Sequence, residues 1–208
     1  MATQNTTHAG YTVPGLSLAD GHKVGDTLQM RLHALNDLQL TLKHAHWNVV
    51  GRDFIGVHEM LDPQIEKVRA MIDTIAERMA TLGVSPNGLA GALVQARPWD
   101  DYDIQRAGTA EHLAALDVVY TGVIESHRKA RAVAEKLDPI TEDLLIGQIA
   151  ELELFQWFMR SHLENSQGTL DDASAKTEKA AAASTKSSST KSSAAKSTST
   201  KKSTSKKK

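Results

Sequence analysis

Apolar residues recur at spacings of three, four or seven along four long stretches of the chain, which is the period of an amphipathic α-helix. The stretches run from about Gly25 to Val50, Phe54 to Leu82, Ala107 to Leu137 and Thr141 to Glu164. The second stretch has the clearest apolar stripe, made of Leu61, Ile65, Val68, Ile72, Ile75, Met79 and Leu82. The pattern therefore predicts an all-α domain built from four long helices.

The connections between the predicted helices indicate how they are arranged. Gly51 and Gly83 end the first two helices, and Asp138-Pro139 separates the last two. These short links predict two antiparallel helical hairpins. Some twenty residues, Val84 to Asp103, join the hairpins, and Leu89 to Ala96 within them is predicted to form a short helix. One long crossover between two hairpins is typical of the ferritin-like four-helix bundle.

The end of the chain has a different composition. From Ala173 onward there are ten lysines and one acid, Glu178, for a net charge of +9, so the −1 of the whole chain leaves −10 on residues 1–172. The rest of this segment is almost only Ala, Ser and Thr, which predicts disorder because little apolar surface is available for burial. The sequence thus divides into an N-terminal extension (1–24), a helical bundle (25–168) and a basic tail (169–208).

The basic tail predicts binding to double-stranded DNA without sequence preference. Lysines without arginine or aromatic residues attract phosphate but do not read bases. The candidate DNA-binding residues are Lys186, Lys191, Lys196, Lys201, Lys202, Lys206, Lys207 and Lys208. The alternative is that the tail is only a solubilising linker, in which case the protein has no DNA role.

The absence of cysteine excludes disulfides and thiolate metal sites. The chain has no apolar N-terminal run and no membrane-length segment, so we expect a cytoplasmic, nucleoid-associated protein.

Side chains able to bind a metal are concentrated in the first two predicted helices. Imidazole and carboxylate ligands without sulfur suit iron, manganese or zinc. No glutamate stands three residues before any of the nine histidines, which disfavours a di-iron centre of the Glu-x-x-His kind and a catalase-like dimetal enzyme. The candidates are His44, His46, His58, Asp62, Asp73 and Glu77.

Helix geometry divides the candidates on the second helix into two pairs. His58 and Asp62 are one turn apart, and so are Asp73 and Glu77, on the same face. His58 and Glu77 are nevertheless ~28 Å apart along the axis at ~1.5 Å per residue, too far for one ion. Two copies of the helix running antiparallel across a two-fold axis would bring one pair beside the other. The spacing therefore predicts a metal site between subunits.

Each candidate also has a simpler interpretation when taken alone. His46 lies on an apolar seam and is equally explained as a hydrogen-bonded core histidine. Asp62 precedes Pro63 and is equally explained as a cap of a helical turn. Asp73 and Glu77 are equally explained as part of an exposed face of ion pairs. The joint placement of the four residues favours the metal site.

Four sequence segments together resemble the Dps family (DNA-binding protein from starved cells) of ferritin-like proteins. They are KHAHWN at 43–48, FIGVHEMLD at 54–62, DTIAER at 73–78 and FQWF at 155–158. The resemblance extends from about Gly15 to Gly168. Pro63 within the second helix departs from a common family pattern and predicts a local kink near Asp62.

The resemblance implies a hollow shell of twelve subunits with a ferroxidase site at each dimer interface, holding at most two iron ions. By position, His46 and His58 come from one chain, and Asp73 and Glu77 come from its partner. Asp62 is a weaker ligand or holds a water molecule. Trp47 lies beside the site, either as an electron donor or simply packed in the interface. The resemblance also implies that Fe²⁺ is oxidised by hydrogen peroxide and stored as ferric mineral.

Two further points stay open at the level of sequence. Acidic residues are candidates for lining pores through which Fe²⁺ enters, namely Asp117, Glu125, Asp138, Glu142 and Asp143.

A rival interpretation of the whole protein is a nucleoid architectural protein with little iron activity. The complete set of candidate ligands argues against that rival.

Overall fold

The computed structural model describes residues 7–170 and 174–185, and within them the chain is almost wholly helical. The predicted helix over 89–96 is present within the crossover, and two very short strands accompany the helices. The elements are α1 (Leu18–Asn48), β1 (Val49–Val50), α2 (Phe54–Thr81), α3 (Ala90–Ala96), β2 (Ala107–Gly108), α4 (Thr109–Ala134), α5 (Pro139–Leu163) and α6 (178–185).

The helix α1 begins seven residues earlier than predicted, inside the segment assigned to the N-terminal extension. Ser17 provides the reason, because its side chain accepts a hydrogen bond from the backbone N–H of Asp20 and so caps the first turn. At the other end, Gly51 adopts φ 112° in the turn to α2. The helix α2 continues unbroken through Pro63.

Two helical hairpins, α1–α2 and α4–α5, form a four-helix bundle and meet mainly through α1 and α4. The core is aliphatic, and the largest side chain buried in it is Tyr120, whose hydroxyl donates to Gln64 over 2.7 Å. The strands β1 and β2 pair in parallel, Val49 with Ala107 and Val50 with Gly108. This pairing ties the end of α1 to the end of the crossover. Among the helices described, none is long and apolar enough to span a membrane.

The crossover is fixed to α1 by polar contacts. Arg97 donates to Asp37 over 3.2 Å, and the Trp99 indole N–H donates to the same carboxylate over 2.6 Å. The side chain of Gln29 bonds both the N–H and the carbonyl of Asn87, each at 2.9 Å. Because these contacts satisfy partly buried polar groups, the long connection is held in one position on the bundle.

Residues before α1 also pack on the bundle. Ala9 donates its backbone N–H to the carbonyl of Gly83 over 2.8 Å. A Cβ on Gly83 would lie 2.1 Å from the carbonyl oxygen of Tyr11, and its φ is +81°. Only glycine fits there, so the end of α2 is shaped to receive the N-terminal segment.

The structure differs from the predicted disorder at the start of the basic tail. Residues 178–185 form α6, in which Ala181 and Ala182 are buried against the bundle. Alanine is the strongest helix former, and this helix buries small side chains instead of large ones. The predicted DNA-binding lysines, from Lys186 to Lys208, lie outside the described residues.

Candidate metal centre at the start of the second helix

The turn between α1 and α2 brings His46 and His58 together. His46 lies in the last turn of α1 and His58 in the first turns of α2. Their rings stack with centroids 3.6 Å apart at an angle of 23°. His46 is buried and His58 is half-buried. The two helices therefore present a preformed imidazole pair within one chain.

Reciprocal hydrogen bonds to the backbone fix both rings. Nδ1 of His46 lies 2.9 Å from the carbonyl oxygen of His58, and Nδ1 of His58 lies 2.9 Å from the carbonyl oxygen of His46. A carbonyl only accepts, so each Nδ1 carries a proton, and Nε2 is the nitrogen of each ring that can offer a lone pair to an ion. Metal-binding histidines are commonly oriented by such a bond from the other ring nitrogen. The pair is thus arranged to offer two Nε2 donors to an ion.

Asp62 lies against this pair, and its carboxylate is held on the Nδ1 side. Its Oδ1 is 2.8 Å from Nζ of Lys43 and 3.3 Å from Nδ1 of His46. The hydrogen bond from Lys43 is the largest cause that lowers the pKa of Asp62 below its usual value, and the charge of Lys43 adds to it. The carboxylate is therefore kept ionised but is committed to Lys43. This geometry suits the weaker-ligand or water-holding role better than that of a primary ligand.

Asp73 and Glu77 are not brought to the histidines within the chain. Both are exposed on the far half of α2, and Asp73 lines an open groove of about 680 Å³ between α1 and α2. Among the described residues, no three His, Asp or Glu side chains are placed as a metal site. One chain therefore holds two separate halves of the candidate ligand set.

The other candidates in the region have different environments. Nε2 of His44 lies 2.9 Å from the carbonyl oxygen of Ile104 in the crossover, so this histidine faces away from the imidazole pair. Trp47 is 70% exposed next to His46.

Three of the five candidate pore acids are committed to ion pairs within the chain. Asp117 pairs with Arg160 at 2.7 Å, and Glu142 pairs with Arg131 at 2.7 Å. The third, Asp138, is buried and accepts from Arg78 over 2.6 Å. The remaining two, Glu125 and Asp143, are exposed.

Lys43 is the residue of this site that sequence reasoning missed. Its role depends on a contact with Asp62 on the neighbouring helix. The two residues are 19 positions apart, and no sequence pattern links residues at that separation. The carbonyl acceptors of the two histidines are equally invisible in a sequence, because every residue carries one.

The four-helix bundle, the long crossover and the imidazole pair define a ferritin-like protein. In agreement with this, the ferritin-like domain family model matches residues 25–168. The chain is 55% identical over 172 residues to the DNA protection during starvation protein of Mycolicibacterium smegmatis, with 83% of this chain and 94% of that protein covered. It is also 55% identical over 163 residues to the fine tangled pili major subunit of Haemophilus ducreyi, with 78% and 86% covered.

Solved structures give the same assignment. DpsA14 from Streptomyces coelicolor superposes with a TM-score of 0.77 at 58% identity, covering 78% of this chain and 97% of that chain. The chain therefore belongs to the Dps family of ferritin-like proteins. The family and bundle predicted from the sequence are confirmed.

Proposed function

We propose that the protein is a ferroxidase and iron store that assembles into a hollow dodecameric shell and holds DNA through its basic tail. The observation that carries the iron role is the oriented pair His46 and His58, whose Nε2 atoms are left free to bind. Iron is the substrate here, and two Fe²⁺ ions at most occupy each site. A two-fold dimer supplies the missing carboxylates, with Asp73 and Glu77 of one chain facing His46 and His58 of the other.

The exposed surface around the half-site supports this dimer. Leu40 and Trp47 lie seven residues apart on α1, hence on one face, and are 62% and 70% exposed. Phe54 and Ile55 at the start of α2 are also exposed. Several large apolar side chains exposed in the same region of the chain are typical of a surface that a partner covers. Covering them would place a second chain next to the histidine pair.

The proposed reaction balances with hydrogen peroxide as the oxidant. Two Fe²⁺ ions each give one electron, the O–O bond breaks, and two protons complete two water molecules. Because both electrons leave one site together, no hydroxyl radical is released. The ferric product then mineralises inside the shell. Trp47, beside the site, is available as a donor for a stray oxidising equivalent.

Iron oxidation and assembly test the first part of the proposal. Oxidation of Fe²⁺ should be faster with hydrogen peroxide than with dioxygen alone, and light scattering should give the mass of twelve chains. His46→Ala/His58→Ala protein should keep that mass and lose the peroxide reaction. A variant that assembles and oxidises iron at the original rate would rule out the histidine pair as ligands.

The DNA role depends on the charge difference between body and tail. The −10 on residues 1–172 repels DNA, whereas the tail from Ala173 carries +9. A shell that displays many tails gains affinity for DNA through their high effective concentration. We therefore propose that the protein is bound to the nucleoid in the cytoplasm. Deleting 186–208 should abolish DNA retention in a gel shift, and binding by the full chain should weaken steeply with salt. Iron oxidation should be unchanged. A truncated shell that still retards DNA would show that the tail is only a linker.

A further inference from the structure

The helix α6 has a local reason to form inside the basic tail. The Thr177 side chain accepts from the backbone N–H of Ala180 over 3.2 Å, and Glu178 lies in the first turn. An N-cap and an early acid both stabilise a helix start. The four alanines at 180–183 then add favourable helix propensity.

One side of α6 is buried on the bundle. Ala181 is fully buried, and Ala182 packs with Ile104 of the crossover and Ala115 of α4. Thr185, at the last described position of the helix, is 8% exposed. Ala180 and Ala183, on the other side, are exposed. Small residues on the buried side let the helix approach the crossover closely.

A surface salt bridge and a cavity also lie at the start of α6, on the side of the crossover. Nζ of Lys179 is 3.2 Å from a carboxylate oxygen of Asp103 in the crossover. Glu178 lines a cavity of about 380 Å³ together with Tyr102, and burial with the charge of Glu178 raises the pKa of Tyr102. Closer to α5, Leu170 and Ala175 pack partly buried on the main core. Of the residues described after α5, Leu170 and the segment 174–185 thus contact the body at several points.

We propose that residues 174–185 are an anchor that fixes where the DNA-binding arm leaves the body. The arm then starts at Lys186 beside the crossover, instead of at the end of the bundle near residue 169. The 23 residues from Lys186 onward span at most about 80 Å, against about 140 Å for a tail free from residue 169. A shorter tether from a fixed point keeps the lysines concentrated near the shell. Lys179 is paired with Asp103 and stays with the body. This inference rests on the proposed DNA role of the tail.

Limited trypsin digestion of the assembled protein, followed by intact-mass measurement, tests the anchor. Cleavage after Lys186 should be at least about tenfold faster than cleavage after Lys179, since cleavage follows the population of the open segment. The variant Ala181→Gln/Ala182→Gln should lose this difference, because the larger side chains cannot enter the buried positions.

The variant Ala180→Gln/Ala183→Gln is a matched control. It has the same mass, charge and helix propensity, but its changes lie on the exposed side. It should digest like the original protein. The anchor is wrong if the original protein is cleaved equally fast after Lys179 and Lys186, or if the two variants digest alike.

The digestion involves no DNA and no iron, so the anchor and the proposed function fail separately. A digestion product ending at Lys186 that still retards DNA would overturn the DNA role of the arm and leave the anchor intact. If cleavage after Lys179 is rapid, and the undigested protein binds DNA through the arm, only the anchor is overturned.

Discussion

The two ends of α2 carry the two halves of the candidate site, and they are built differently. At the first end, His58 is interlocked with His46 by two hydrogen bonds and a stacked pair of rings. At the far end, Asp73 and Glu77 are exposed. Arg78, the neighbour of Glu77, is bound inward, through Asp138 and Thr141.

The difference follows from the chemistry of the two ligand types. A neutral imidazole offers its lone pair in one direction only, so its ring must be oriented before it can bind an ion. A carboxylate is stable in water and binds from several directions. We infer that the fold of one chain prepares the histidine half, whereas assembly must position the carboxylate half.

Mixed shells test this division most strongly. His46→Ala/His58→Ala protein and Asp73→Ala/Glu77→Ala protein should each lose at least ~10-fold in the rate of peroxide-driven iron oxidation. In a co-assembled equal mixture, half of the dimers combine both chains, and one of their two sites is intact. About one quarter of the original activity should therefore return, given an isologous two-fold interface. Mixed shells as inactive as both parents would show that the site does not span two chains.

Asp138→Asn should destabilise the far end of α2 where it meets α5. Losing the charged acceptor of Arg78 and Thr141 should cost about 2 kcal/mol at neutral pH. Burial by itself raises the pKa of Asp138, but the hydrogen bonds from Thr141 and Arg78 outweigh burial and hold the pKa below its usual value. Its stabilising contribution is therefore complete above the ordinary aspartate pKa and is lost as the pH falls through the lowered one.

Thermal unfolding of the assembled protein between pH 7 and pH 3 measures this effect. The original protein should unfold at a higher temperature than Asp138→Asn at neutral pH, and this difference should disappear only at the acid end of the series. An advantage that is the same at every pH would mean that the charge of Asp138 contributes nothing.

His58→Ala should have a smaller effect on stability, about 1 to 2 kcal/mol, because the carbonyl of His46 loses its donor and the stacked ring is removed. Asp73→Asn is the matched change at the other end and should alter stability by less than about 0.5 kcal/mol, as expected at an exposed position. Denaturant or thermal unfolding of both variants provides the comparison. Equal losses would contradict a preformed histidine half.

Much of the architecture could be predicted because local sequence patterns determine it. Spacings of three and four residues gave the long helices, and the glycine and proline positions gave the turns between them. The early start of α1 had a visible signal in Ser17 and Asp20 that hydrophobic periodicity alone overlooks. The helix α6 was missed because composition was averaged over the whole tail, although Thr177, Glu178 and the alanine run are a helix signal.

The sequence alone determined the four helices, the crossover, the family and the identity of the candidate ligands, because each depends on residue type and on spacing along the chain. Only the tertiary structure decided that His46 and His58 orient each other, that Asp62 is held by Lys43, and that Asp138 is buried. These facts depend on contacts between elements that are distant in sequence, and no periodicity records such contacts. The docking of α6 on the crossover is of the same kind, since a buried alanine and an exposed alanine are identical in the sequence.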